Sequence, residues 1–305
     1  MSDAPRRRVL TLKGPYRLFA TLHHQRAGLY DPACRISDRA LWRTARLPEG
    51  PVTLHGHHEA PERVVVEAWG PGADAALESA PALLGLEDDP DSFQPEHEGV
   101  VRLVKRCPGL RLPRVPDVFR ALVQVILHQR VTWQEATRSW RLLLERHGEP
   151  APGPDPELRL LPEAQRLARL PLHEYAALGL EARRAKAVVE VAIVHRRVEE
   201  LSSMSAEDAQ ARLLAIRGIG GWSAGMTMGH GLGWADAEIP GDAGLPQLVT
   251  WAFTGAPVKD DAAMLEHLEP FRPHRFRVVR LLQESGLKAP RGAPRRRLGP
   301  LPGRR

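Results

Sequence analysis

The residues whose types and spacing could do chemistry gather between positions 216 and 249. IRGIGGWSAG (216–225) crowds Gly218, Gly220 and Gly221 together and follows them at once with Trp222. Glycine admits backbone conformations that a Cβ forbids, so this spacing marks a tight turn or a close approach of backbone to something else. SAEDAQARLLAI before the turn and GWSAGMTMGHGL after it both read as helices. A turn of that kind, with the start of the second helix, presents unpaired backbone N–H groups backed by the positive end of a helix dipole. That is a phosphate-binding arrangement needing no charged side chain. Gly218, Ile219, Gly220, Gly221 and Ser223 would form it, with the apolar Ile219 packed inward. An ordinary helix–helix connection draws on the same residue types. Across the next helix, AEIPGDAGLPQLV (237–249) sets Asp242 at a helix start, 22 residues after Gly220. Taken alone, that carboxylate is an N-cap. Asp236, six residues earlier, reads as structural.

Other reactive side chains carry weaker patterns. His23 and His24 are adjacent and so do not share a helix face, and HGHH (55–58) has no partner spacing after it. Packing or surface roles, and no metal, are expected for both groups, with a transition-metal site at HGHH the alternative that stays open. Cys34 and Cys107 lie far apart without a CxxC motif, which argues against a disulfide framework, a cysteine zinc site and an iron–sulfur cluster.

The elements that must position these residues fall into two textures. VLTLK (9–13), ALWRTARL (40–47), PVTLHG (51–56) and RVVVEAW (63–69) are short β-type runs, followed by a helix in ADAALESAPALLGL. An acidic connector, EDDPDSFQPEHEG (87–99), leads to a helical remainder. Asp117 can cap a helix whose Phe119, Leu122, Val123 and Ile126 share a face. Helical patterns recur at 133–147, 181–199, 205–216, 221–232, 243–254, 259–268 and 273–285, while APGPDPELRLLPE reads as a loop. The expected organisation is a disordered basic start at 1–8, an α/β domain at 9–98, a helical domain at 99–287 and a disordered basic tail at 288–305.

The net charge of +6 is mostly terminal: from Lys288 onward there are seven Lys/Arg and no acid, and Arg6, Arg7 and Arg8 add three. Within the body, 73–98 holds eight Asp/Glu and no Lys/Arg, whereas 101–147 holds ten Lys/Arg against three acids. This asymmetry fits an electrostatic footprint for phosphates and equally a solvated helix face. No stretch has the ~20 apolar residues of a membrane span, and no leader pattern opens the chain. A cytoplasmic protein is expected.

GIGGWSA followed by the Pro-Gly-Asp helix start resembles the helix–hairpin–helix DNA glycosylase superfamily. FRALVQVILHQRVTWQEA (119–136) and LGLEARRAKAVVEVA (178–192) resemble its core helices, so the likeness spans about 117–285. GPYRLFATL and VVVEAWGPGA within 9–70 further resemble the N-terminal domain of the bacterial 3-methyladenine DNA glycosylase II type. The resemblance implies an α+β fold, with a helical glycosylase core behind a small α/β domain. It implies a monomeric, cofactor-free enzyme of base excision repair that flips alkylated bases out of double-stranded DNA. Asp242 would be the catalytic carboxylate, stabilising an oxocarbenium-like transition state or orienting water. Bifunctional members carry a lysine directly after the hairpin; Trp222 in that slot implies hydrolysis without a Schiff base. A cationic base would stack on Trp222, with Met226, Phe19 and Tyr16 in the pocket and Trp251 and Trp133 behind. Gln129 and Arg130 occupy the position of the wedge that fills the gap left by the flipped base, and Arg280 stands where a pocket aromatic is expected. A catalytically silent DNA-damage sensor built on the same hairpin is the alternative.

Overall fold

The computed structural model describes residues 4–290. Five strands, β1 (Arg6–Thr11), β2 (Cys34–Ile36), β3 (Ala40–Leu47), β4 (Gly50–Ala60) and β5 (Arg63–Trp69), form one antiparallel sheet in the order β1-β5-β4-β3-β2. The two-residue period of a strand sends Val52 and Leu54 of β4 and Val64, Val66 and Ala68 of β5 to one face, against the helix Ala73–Leu83. The opposite face carries Trp42, His55, His57 and Glu67.

Arg6–Arg8 belong to β1, which corrects the expectation of disorder at 1–8 for these residues; residues 1–3 lie outside the described residues. Arg6, Arg7 and Arg8 pair with Ala68, Glu67 and Val66, and the Arg8 Nη1 donates to the Leu77 carbonyl at 2.8 Å. An edge strand needs only backbone groups for its pairing, so basic side chains do not prevent it and serve to protect the edge. β2 was not expected, nor was the helix Glu98–Arg106, which begins at the end of the acidic connector. Arg159–Leu160, within the expected loop, pairs with Glu149–Pro150 just before it, and the Arg159 carbonyl accepts from the Thr44 hydroxyl at 2.8 Å. Much of the basic tail (291–305) lies outside the described residues.

Helices make up the remainder and pack around Trp140, Tyr175 and Phe276, all fully buried. The fold is α+β. Helix Val118–Leu127 runs through the middle of this core. Its expected Asp117 cap is replaced: the Val118 and Phe119 N–H groups donate to Glu199 at 2.8 and 3.1 Å, while Asp117 pairs with Arg43 of β3. That ion pair, 1% and 3% exposed, stitches sheet to helices. Ala20, Ala27 and Ala33 join the helical core, and Val115 and Ala121 reach the sheet's core. No helix among the described residues is long and apolar enough to cross a membrane.

Candidate active site

Helix Ala206–Leu214 starts as its residues demand, with the Ser205 hydroxyl accepting from the Asp208 N–H. It ends in a turn where the Ile219 N–H donates to the Ile216 carbonyl at 3.0 Å. Gly218 has φ +92°, and a Cβ there would meet the Ala187 side chain at 2.7 Å. Gly218 and Gly220 are exposed, Gly221 is half-buried and Ile219 packs inward. The helix that restarts at Gly221 (Gly221–Met226) lies hard against the segment before Asp242. A Cβ on Gly225 would stand 1.9 Å from the Glu238 carbonyl oxygen. That close approach brings Trp222 to Asp242.

Asp242 is held by three donors. The Gly244 and Leu245 N–H groups donate to its Oδ1 at 2.9 and 2.8 Å, and the Trp222 indole N–H donates to its Oδ2 at 3.0 Å. The N-cap of helix Leu245–Thr254 is Gly244 rather than the expected Asp242, which sits two residues before it and accepts from the turn that leads into the helix; these bonds fix a half-buried carboxylate whose Oδ2 keeps one lone pair free. Asp236 is engaged elsewhere, gripping Arg275 through bonds of 2.9 and 2.6 Å, consistent with a structural role.

Trp222 also lines a cavity of about 380 Å³ together with Met226, Trp133, His24, Arg120 and Arg280. Its lining is more polar than the expected aromatic cage. Phe19 and Tyr16 are not among its lining residues: Phe19 stacks on His23 with ring centres 5.3 Å apart, and the Tyr16 hydroxyl donates to the Leu84 carbonyl at 2.8 Å. Trp251 is likewise outside. Arg280 is 2% exposed; its Nη2 donates to the Ala20 carbonyl at 2.7 Å and lies 3.1 Å from Glu284. Buried donors remain unpaired on Arg280 (Nε), Arg120 (Nε and Nη2), Arg43 (Nη1) and Gln25 (Nε2). Unpaired buried donors are costly, and a ligand rich in acceptor atoms would relieve that cost. His24 and His230 face each other with ring centres 4.4 Å apart, and burial holds both well below the ordinary histidine range, so they line the cavity as neutral rings. Arg120, His24 and His230 were missed as pocket residues. The one signal for Arg120 is a cation among apolar residues in VFRALVQVIL, which periodicity alone does not distinguish from an exposed position.

Gln129 and Ser223 are turned toward each other rather than toward a ligand. The Gln129 amide donates to the Gly218 carbonyl at 3.0 Å and to the Ser223 hydroxyl at 2.9 Å, and Ser223 is 2% exposed. Gln129 thus braces the hairpin, and the Ser223 side chain is unavailable to a phosphate. Arg130 differs: it is exposed and left-handed at φ 55°, the one non-glycine residue with positive φ among the described residues. Such conformations are uncommon outside glycine and persist where the surroundings impose them. Both cysteines are buried and free. Among the described residues, the one group able to hold a metal is His55, His57 and Glu67, on the sheet.

No family model matches the chain. DNA-3-methyladenine glycosylase 2 of Escherichia coli is 29% identical over 177 residues, covering 57% of this chain and 60% of that protein. DNA-3-methyladenine glycosylase of Bacillus subtilis is 27% identical over 141 residues, or 45% and 46% of the two chains. The chain spans about half the length of the curated relatives it matches. Among solved structures, a 3-methyladenine DNA glycosylase from Archaeoglobus fulgidus superposes with a TM-score of 0.77 over 91% of this chain and 98% of that one, at 18% identity. An 8-oxoguanine glycosylase/lyase of Clostridium acetobutylicum, solved with double-stranded DNA, gives 0.68 over 92% and 96%, at 14% identity. The chain thus has the fold of these glycosylase structures, and over part of its length its sequence is similar to the named 3-methyladenine DNA glycosylases.

Proposed function

We propose that this protein is a monofunctional DNA glycosylase that hydrolyses the N-glycosidic bond of alkylated purines of the 3-methyladenine and 7-methylguanine type in double-stranded DNA, leaving an abasic site. The observation that carries the reading is Asp242, immobilised by the Trp222 indole and two backbone N–H groups. The exposed Gly218 and Gly220 turn offers backbone donors to a phosphate beside the lesion. Arg130 fills the gap in the duplex while the extruded base enters the cavity next to Trp222. As the base departs, positive charge grows on the deoxyribose, and the fixed carboxylate stabilises it. Its free Oδ2 lone pair orients the attacking water. An alkylated purine already carries positive charge, so it leaves without a general acid.

Trp222 supports hydrolysis over lyase chemistry, because an indole cannot form the Schiff base that a lysine in this slot makes. The silent-sensor alternative gives no reason for a carboxylate beside a phosphate-gripping hairpin, where it repels DNA. The monomer is the proposed working form, as one chain contains every residue named. The test is incubation of the purified protein with methylated DNA and chromatography of the released bases. Release of 3-methyladenine or 7-methylguanine is expected, with no covalent adduct trapped by borohydride; an adduct, or no release at all, overturns the reading.

A further inference from the structure

The face of the sheet turned away from helix Ala73–Leu83 carries a second constellation, independent of the cavity. His55 and His57 are two residues apart on β4, so the strand period points both rings to the same side. Antiparallel pairing places Glu67 of β5 directly opposite His55, and Trp42 of β3 opposite it on the other flank. The Trp42 ring stacks on the His55 ring with centres 4.0 Å apart at 17°, and the His55 and His57 rings lie 4.8 Å apart at 25°. His55 Nδ1 stands 3.2 Å from Glu67 Oε2. One nitrogen from each ring and a Glu67 oxygen all lie within 4.8 Å of one another. His57 Nδ1 is buried with no partner.

We propose that His55, His57 and Glu67 form a binding site for one divalent transition-metal ion of the zinc type, with a fourth coordination position open to solvent. Two imidazoles and a carboxylate are a donor set zinc accepts, and imidazole suits this class of ion over calcium or magnesium. Ligand atoms about 2.0–2.2 Å from a common ion sit closer together than those seen here, and small side-chain rotations make up the difference. The scaffold favours that closure, since three ligands on two paired strands cannot drift apart and the Trp42 ring holds His55 in its plane.

The test uses the full chain. Zinc chloride titrated calorimetrically into chelator-treated protein should bind one to one at micromolar or tighter affinity, and cobalt(II) should give the visible absorption of a tetrahedral site. His57→Gln and Glu67→Gln should each weaken zinc binding at least about tenfold and abolish the cobalt spectrum, while His173→Gln, at an exposed histidine, should leave both intact. No binding by the wild type, or binding and cobalt absorption unchanged in both site variants, overturns the proposal. Should a variant fail to fold, wild-type protection decides. Zinc should shield His55 and His57 from acylation by diethyl pyrocarbonate, mapped by mass spectrometry, and unchanged labelling of both is disproof.

Discussion

Asp242 and Glu67 are both half-buried carboxylates accepting a bond from an aromatic ring nitrogen, yet their surroundings suit them to opposite tasks. Asp242 takes three donors, two of them backbone N–H groups and the third an indole, which cannot ligate a metal. These three bonds hold it in place, which suits the role proposed for it beside developing positive charge. Glu67 meets an imidazole whose nitrogen can itself turn to a metal, so that pair can open around an ion. A carboxylate's role is set by whether its partners are fixed donors or potential ligands, more than by its own burial. The two regions also differ in range. The hairpin site comes from residues some twenty positions apart, whereas the sheet site depends on cross-strand register.

Five experiments bear on this contrast. Arg43→Met tests whether the two regions depend on one seam, because it leaves Asp117 buried without its partner. A loss of about 3–5 kcal/mol in urea unfolding is expected, and a loss below about 1 kcal/mol would show that the seam is dispensable. Asp242→Asn separates chemistry from support. The amide oxygen can still accept from Gly244 and Leu245 while its NH2 faces the Trp222 indole N–H, so DNA affinity should stay near wild type and stability should fall by no more than about 1–3 kcal/mol, while kcat for base release falls by about 10²–10³. Full release by that variant would return Asp242 to a purely structural role, and Glu67→Gln should leave release untouched.

Glu199 makes a third carboxylate with its own signature. Burial, then the nearby Asp117, pushes it up to about 8, against which the Phe119 and Val118 N–H bonds work. Its proton is therefore held more tightly in the folded state than in the unfolded one. The stability this contributes is complete below about 4.5 and is lost as pH rises through about 8. The slope reaches at most about 1.4 kcal/mol per pH unit. Denaturant curves at pH 5 to 9 should show it in the wild type and a flatter dependence in Glu199→Gln; parallel curves would refute it. Trp222→Phe removes the indole donor while keeping a ring in the cavity, so kcat should drop about tenfold with little change in KM. Arg280→Lys sharpens the pocket. Losing the guanidinium donors should cut 7-methylguanine release, whose carbonyl accepts them, up to about tenfold relative to 3-methyladenine; an unchanged ratio would remove Arg280 from base selection.

How much was readable in advance follows the same division. The helix start at Ser205 was readable because capping is local, satisfied by a side chain three residues from its donor. The cap on helix Val118–Leu127 was misassigned because its acceptor, Glu199, lies about 80 residues away while Asp117 is drawn off to Arg43. Tyr16 and Phe19 were placed in the pocket by resemblance, but their rings are engaged in packing that no local pattern shows.

By itself the sequence determined the strand and helix textures of the α+β class, the glycine turn and the helix start near Asp242, since each rests on backbone conformations and bonds within a few residues, while the meaning of Trp222 came from the resemblance. Only the tertiary structure decided which groups meet. It turned Trp222 onto Asp242, lined the cavity with unpaired guanidinium donors and set Glu67 opposite His55. Those meetings depend on strand register and on close packing between distant segments. A one-residue slip would send every side chain of a strand to the other face.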